Sequence, residues 1–151
     1  MKLWDGACIV HEAFSIEKLL DLHAQHPTAE IIAHPESEAH ILKVATYIGS
    51  TAGMIKYVRE SRNDTFIVAT EEGILHEMGK QVPSKDLIPA LTREDNSCSC
   101  SQCAFMRLTT LEKILNCIQY EKPEIALDND LAERARIPIQ RMLDLSGVSI
   151  L

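Results

Sequence analysis

No apolar stretch in this chain approaches the ~20 residues that a membrane-spanning helix requires. Runs of Lys and Arg are missing too, and the formal charge is −7, so an electrostatic surface for nucleic acid is excluded. The opening Met1-Lys2-Leu3-Trp4-Asp5 has neither the apolar segment nor the cleavage-like end of a secretory leader. The cysteines lack a disulfide arrangement. There are five of them, an odd number, and Cys98, Cys100 and Cys103 fall within six residues, where bridging geometry is strained. Free clustered thiols belong in a reducing compartment, and the chain is expected to be cytoplasmic. A second cysteine pair, which a closed zinc ribbon needs, is absent as well.

What remains is a soluble globular composition, 46% apolar and 25% charged, in 151 residues. That length suits one ordinary domain with a short appendage. Leu3 to Cys8 reads as the end of a strand entering a loop. Glu12 to Gln25 has helical apolar spacing, and Glu30 to Ala33 is a short buried strand. A second helix opens at Ser37-Glu38 and ends near Tyr47, and Ile48 begins a very short strand. A helix over Met54–Glu60, a strand over Thr65–Ala69, a helix over Ile74–Gln81 and a strand over Asp86–Ala90 follow. This strand–helix alternation predicts an α/β fold: a three-layer α/β/α unit on a short parallel sheet. The unit is expected over 1–108. A helical region over 109–151, carrying Pro138 as an expected kink or break, packs on that unit or on something outside it.

In such folds function gathers in the loops that leave the carboxyl ends of the strands. Cys8, His34, Glu36, Ser50, Thr51, Thr70 and Glu71 all occupy such places in the reading above, so one rim is expected to hold them. His34 and Glu36 flank Pro35, which stiffens the turn; a histidine donates to a substrate carboxylate and a glutamate accepts a proton. Gly49-Ser50-Thr51 opens a helix and offers hydroxyls and amides to an anion, although a simple cap uses the same residues. His11 is a weaker candidate, and His23, His26 and His40 read as solvent-facing. Thiolates at Cys98, Cys100 and Cys103 suit a soft metal or an iron–sulfur cluster, with Cys8 the natural distant partner and Cys117 assigned to packing. Two alternatives stand beside this. One is a zinc-binding module built from Cys8, Cys98, Cys100 and Cys103; the other is a reversible disulfide between Cys100 and Cys103.

Taken in order, Gly6-Ala7-Cys8-Ile9-Val10-His11, His34-Pro35-Glu36-Ser37, Gly49-Ser50-Thr51, Ile67-Val68-Ala69-Thr70-Glu71, Cys100-Ser101-Gln102-Cys103 and Arg141-Met142-Leu143 resemble quinolinate synthase. The resemblance covers essentially the whole chain and falls on the later part of that enzyme. It implies one of three α/β/α domains related by a pseudo-threefold axis, plus a C-terminal helix. It also implies condensation of iminosuccinate with dihydroxyacetone phosphate to quinolinate, a step of de novo NAD biosynthesis. The implied cofactor is a 4Fe-4S cluster with one cysteine ligand from each domain. Carried over, Cys8 and Cys103 are cluster ligands, and His34, Glu36 and Thr51 hold iminosuccinate, with Pro35 and Ser50 beside them. Cys98 and Cys100 are left to a redox role. The implied partners are the N-terminal part of the same enzyme and the enzyme that supplies iminoaspartate. The chain by itself is expected to be inactive.

Overall fold

The computed structural model describes residues 6–93 and 101–147. The strand end read into Leu3–Asp5 therefore lies outside the described residues, as do the thiols of Cys98 and Cys100. The chain forms two compact units, 1–107 and 108–151.

The first unit is built on a parallel sheet of four strands, β1 (Glu30–Ala33), β2 (Tyr47–Ile48), β3 (Thr65–Ala69) and β4 (Asp86–Pro89), in the order β2-β1-β3-β4. Parallel strands need crossovers, and helices supply them: α3 (Ala39–Leu42), α4 (Thr51–Glu60) and α5 (Gly73–Gln81), preceded by α1 (Ile9–Glu12) and α2 (Ile16–Gln25). Alternation along the strands then sorts the core into two layers. Ile31, Ala33, Ile67 and Ala69 pack with Val10, Phe14, Leu19 and Ile41 on one face. On the other face Ile32, Phe66 and Val68 meet Met54, Val58 and Met78. The α/β/α reading holds.

Local departures from the expected boundaries each have a tertiary cause. The helix expected over Glu12–Gln25 is two helices, because residues 13–15 pair with the chain that leaves β4. Ser15 N donates to Leu91 O at 3.1 Å, Arg93 N donates to Ala13 O at 2.8 Å, and Phe14 bridges Thr92. Helix α3 stops at Leu42 well short of Tyr47, since Thr46 N donates to Ile31 O and Tyr47 pairs with Ile32 in the sheet. Helix α4 begins at Thr51, three residues early, because the Ser50 hydroxyl accepts from Gly53 N at 3.2 Å and so satisfies one of its open donors.

The second unit contains α6 (Leu111–Tyr120), capped by Thr110, and α7 (Asn129–Ser146), capped by Asp128 and ended by Gly147 in the left-handed region. Pro138 neither breaks α7 nor ends it. No side chain of α7 is buried, so water is available to the carbonyl that loses its partner. Leu111, Ile118 and Leu145 are each more than 70% exposed. No described helix is long and apolar enough to cross a membrane.

Phe66 is fully buried and fills the layer beneath α4 and α5. Phe66→Ala is expected to lower the unfolding free energy of the chain by about 3–5 kcal/mol. Cys117→Ser, on the exposed part of α6, is expected to change it by less than about 0.5 kcal/mol. Urea unfolding followed by circular dichroism checks both.

Candidate functional site

The strand order reverses between β1 and β3, because β1 crosses to β2 on one side and the chain then returns to lay β3 on the other. A crevice opens at the carboxyl ends of such a pair. Here the register places Ala33 opposite Ala69, so the next residues, His34 and Thr70, leave the sheet side by side. His34 N donates to Ala69 O at 3.2 Å, which holds the two loops together just beyond the last ladder pair.

Into this crevice α1 delivers His11. Its ring is buried, with 6% of its surface exposed, and it stacks on His34 with centroids 4.6 Å apart and planes 19° from parallel. His11 Nε2 lies 3.0 Å from the Thr70 hydroxyl. His11 Nδ1 lies 3.4 Å from Glu36 Oε2, a contact too poorly aligned to be a hydrogen bond, which leaves Nδ1 buried without a hydrogen-bond partner. Glu36 is 60% exposed and accepts only, so the tautomer that suits this place carries the proton on Nδ1 and receives the Thr70 hydroxyl at Nε2. Burial lowers the His11 pKa below its ordinary 6.5, and His34 adds to the effect; the Glu36 carboxylate opposes both. The neutral ring prevails. The result is a hydroxyl–imidazole–carboxylate series, Thr70–His11–Glu36.

His34 faces the same space in a set tautomer. Glu36 N donates to His34 Nδ1 at 3.3 Å, so the ring's proton sits on Nε2 and is available to an acceptor. His11, His34, Glu36, Thr51, Thr70, Glu71 and Met106 share the walls of one cavity of about 510 Å³. An adjoining space of about 460 Å³ is lined by Gly6, Ala7, Cys8 and Glu36. The Cys8 thiol, an imidazole nitrogen of His11 and a Glu36 oxygen lie within 4.8 Å of one another.

Of the residues expected on the rim, Cys8, His34, Glu36, Thr51, Thr70 and Glu71 are gathered around these two spaces. The seventh, Ser50, spends its hydroxyl on the cap of α4, and Pro35, which the resemblance sets beside the substrate residues, is exposed in the turn between His34 and Glu36. Cys103 is a half-buried free thiol packed against the same core layer as Cys8. Cys117, assigned to packing, is exposed on α6. His23, His26 and His40, expected to face solvent, are half-buried, and His40 contacts Glu38 at 3.3 Å. The residue that sequence reasoning undervalued is His11: a single histidine in a short helix carries no periodic signal. Its adjacency to Cys8 and a Thr70 placed after a strand were the only hints.

The family described as Quinolinate synthetase A protein matches residues 1–144. The chain belongs to that family. Curated relatives include the quinolinate synthases of Microcystis aeruginosa and Thermosynechococcus vestitus. The first is 51% identical over 144 residues, covering 95% of this chain and 44% of the relative. The second is 50% identical over 146 residues, covering 97% of this chain and 46% of the relative. The chain thus spans less than half the length of the quinolinate synthases it matches.

The depressed His11 pKa has a thermodynamic consequence. Below pH 6.5 the unfolded chain takes up a proton at this position that the folded chain resists. Stability is therefore expected to fall as pH drops through 6.5 and to go on falling until the folded-state pKa is passed. In His11→Gln this part of the pH dependence disappears, so the gap in melting temperature between parent and variant narrows on acidification. Thermal melts of both chains across this range check it.

Proposed function

We propose that this chain supplies an α/β/α unit and the helical tail of a quinolinate synthase, acting in de novo NAD biosynthesis. The reaction is the condensation of iminosuccinate with dihydroxyacetone phosphate to quinolinate. The observation that carries the proposal is the Thr70–His11–Glu36 series beside Cys8 and His34 at the switch point. Membership of the family supports it.

Each side chain then has a task that follows from its state. His34 Nε2–H donates to a carboxylate of iminosuccinate. Thr51, the first residue of α4, offers its hydroxyl and a free backbone amide to a second anionic oxygen, favoured by the positive end of the helix. Glu36 is exposed to the cavity and placed to take a proton from bound substrate. His11 accepts the Thr70 hydroxyl proton at Nε2, and the Glu36 carboxylate stabilises the imidazolium that results. A hydroxyl, an imidazole and a carboxylate in this order make the hydroxyl a stronger base or nucleophile in unrelated enzymes; here the carboxylate acts on the ring through its charge at 3.4 Å, without a hydrogen bond to Nδ1. The buried ring and the stacked His34 keep water from competing for His11.

A 4Fe-4S cluster fits this donor set. Cys8 and Cys103 are both free, half-buried thiols on one core layer, and soft thiolates are the ligands such clusters take. Those two residues would hold it, and a further thiolate would come from the N-terminal part of the enzyme. When bound, the cluster supplies a Lewis-acidic iron that draws electron density from substrate oxygen and eases loss of water. The apolar rows of α6 and α7 are surface for the same N-terminal part to cover. The free thiols of Cys8, Cys103 and Cys117 support a cytoplasmic place for the enzyme.

The test is reconstitution with iron and sulfide, joined to an N-terminal part taken from a relative such as the Thermosynechococcus enzyme. Quinolinate formation is expected only from the joined protein. Glu36→Gln and Thr70→Val are each expected to lower turnover by about 10²–10⁴-fold while the visible absorption of the cluster persists. Cys8→Ser or Cys103→Ser is expected to abolish that absorption. Full turnover in Glu36→Gln sinks the mechanism. A colourless parent protein that binds one zinc in place of iron sinks the cofactor assignment.

A further inference from the structure

Beyond the residues that meet substrate, the loop following β3 grips the loop that carries Cys103. Glu71 spans the two. Its Oε2 accepts from Gly73 N at 2.7 Å, and its Oε1 accepts from Cys103 N at 3.4 Å. The neighbouring contacts fasten the same pair of segments: Glu72 N donates to Ser101 O at 3.1 Å, and Gln102 Nε2 donates to Glu72 Oε2 at 3.2 Å. Ser101, between them, is only 2% exposed. The two Glu71 bonds bring a carboxylate to backbone N–H groups, whereas the Gln102–Glu72 contact joins two side chains and holds no backbone.

Gly73 has a part in this. A Cβ built there would lie 2.7 Å from Glu71 Oε2, a distance no real side chain holds, so any larger residue displaces the carboxylate. The absence of a side chain at Gly73 is therefore the condition for Glu71 to reach back to Gly73 N and across to Cys103 N at once.

The geometry points to Glu71 as the positioning residue for Cys103, one that orders the cysteine's backbone from the β3 loop and so ties its thiol to the switch-point crevice. The inference deepens the ligand assignment of Cys103 and rests on it for its meaning. Glu71 also lines the cavity. One carboxylate thus couples the substrate space to the backbone of the cysteine loop, and this is the role expected of outer groups that orient a metal ligand.

The experiment reads the backbone directly, in the chain with no cluster present. Amide hydrogen exchange at Cys103 is measured by NMR, together with the rate of Cys103 alkylation by iodoacetamide, with exposed Cys117 as internal standard. Glu71→Ala is expected to speed Cys103 amide exchange by at least about tenfold, and to raise Cys103 alkylation relative to Cys117. Glu71→Gln, with one acceptor oxygen left, is expected to fall between Glu71→Ala and parent. Gly73→Ala leaves Glu71 chemically intact and is expected to reproduce the loss. It also serves as the second reading if Glu71→Ala folds poorly. Glu72→Ala, which frees Gln102 alone, is expected to leave Cys103 exchange near parent. Unchanged Cys103 exchange in both Glu71→Ala and Gly73→Ala overturns the proposal, as does an equal rise in Glu72→Ala. Cluster loading of Cys103→Ser reports separately on the ligand assignment. A failure of one is therefore distinguishable from a failure of the other.

Discussion

The arrangement of this unit depends on the pairing of Ala33 with Ala69. Both are fully buried, both carry the smallest side chain that still packs, and they close the ladder between the two central strands. Small residues here leave room for Phe14, which packs in the same core layer. The crossovers on the two sides of this pair run in opposite directions. The loops diverge, and the space between them is the cavity. His34 and Thr70 are neighbours only because the register makes them so.

The site combines a buried neutral imidazole with an exposed carboxylate. Each alone is unremarkable: many histidines are buried, and most glutamates are exposed. Together they place a buried base against a group that can stabilise its charged form. Burial lowers the affinity of His11 for a proton, and Glu36 restores part of it at the moment a proton arrives. The Thr70 hydroxyl stands at the other nitrogen, itself almost fully buried, and so has His11 for its partner in place of bulk water.

The central strands, Glu30–Ala33 and Thr65–Ala69, were legible to the residue, since short β-branched and apolar runs bounded by turn residues have few other uses. The ends of α2 and α3 were not. What stopped those helices was pairing with other parts of the chain, Phe14 with Thr92 and Tyr47 with Ile32, and periodicity carries no record of a partner beyond its own window. The site divides the same way. His34 and Glu36 stood out because a proline between them at a strand end restricts the turn. Ser50 was legible as either cap or anion donor, and it is the cap that the structure shows. His11 had no such local mark.

By itself the sequence determined the class of fold, the presence of a rim of polar residues at strand ends, and the family. Those depend on residue type and order along the chain, which spacing preserves. Tertiary structure alone decided which rim residues meet. Contact between His11, Thr70 and Glu36 joins segments up to 59 residues apart, and it arises from strand order and register. Glu71's grip on Cys103 arises the same way. These are consequences of three-dimensional closure, in which hydrogen-bond distances of about 3 Å are set by the packing of whole layers and not by any short run of residues.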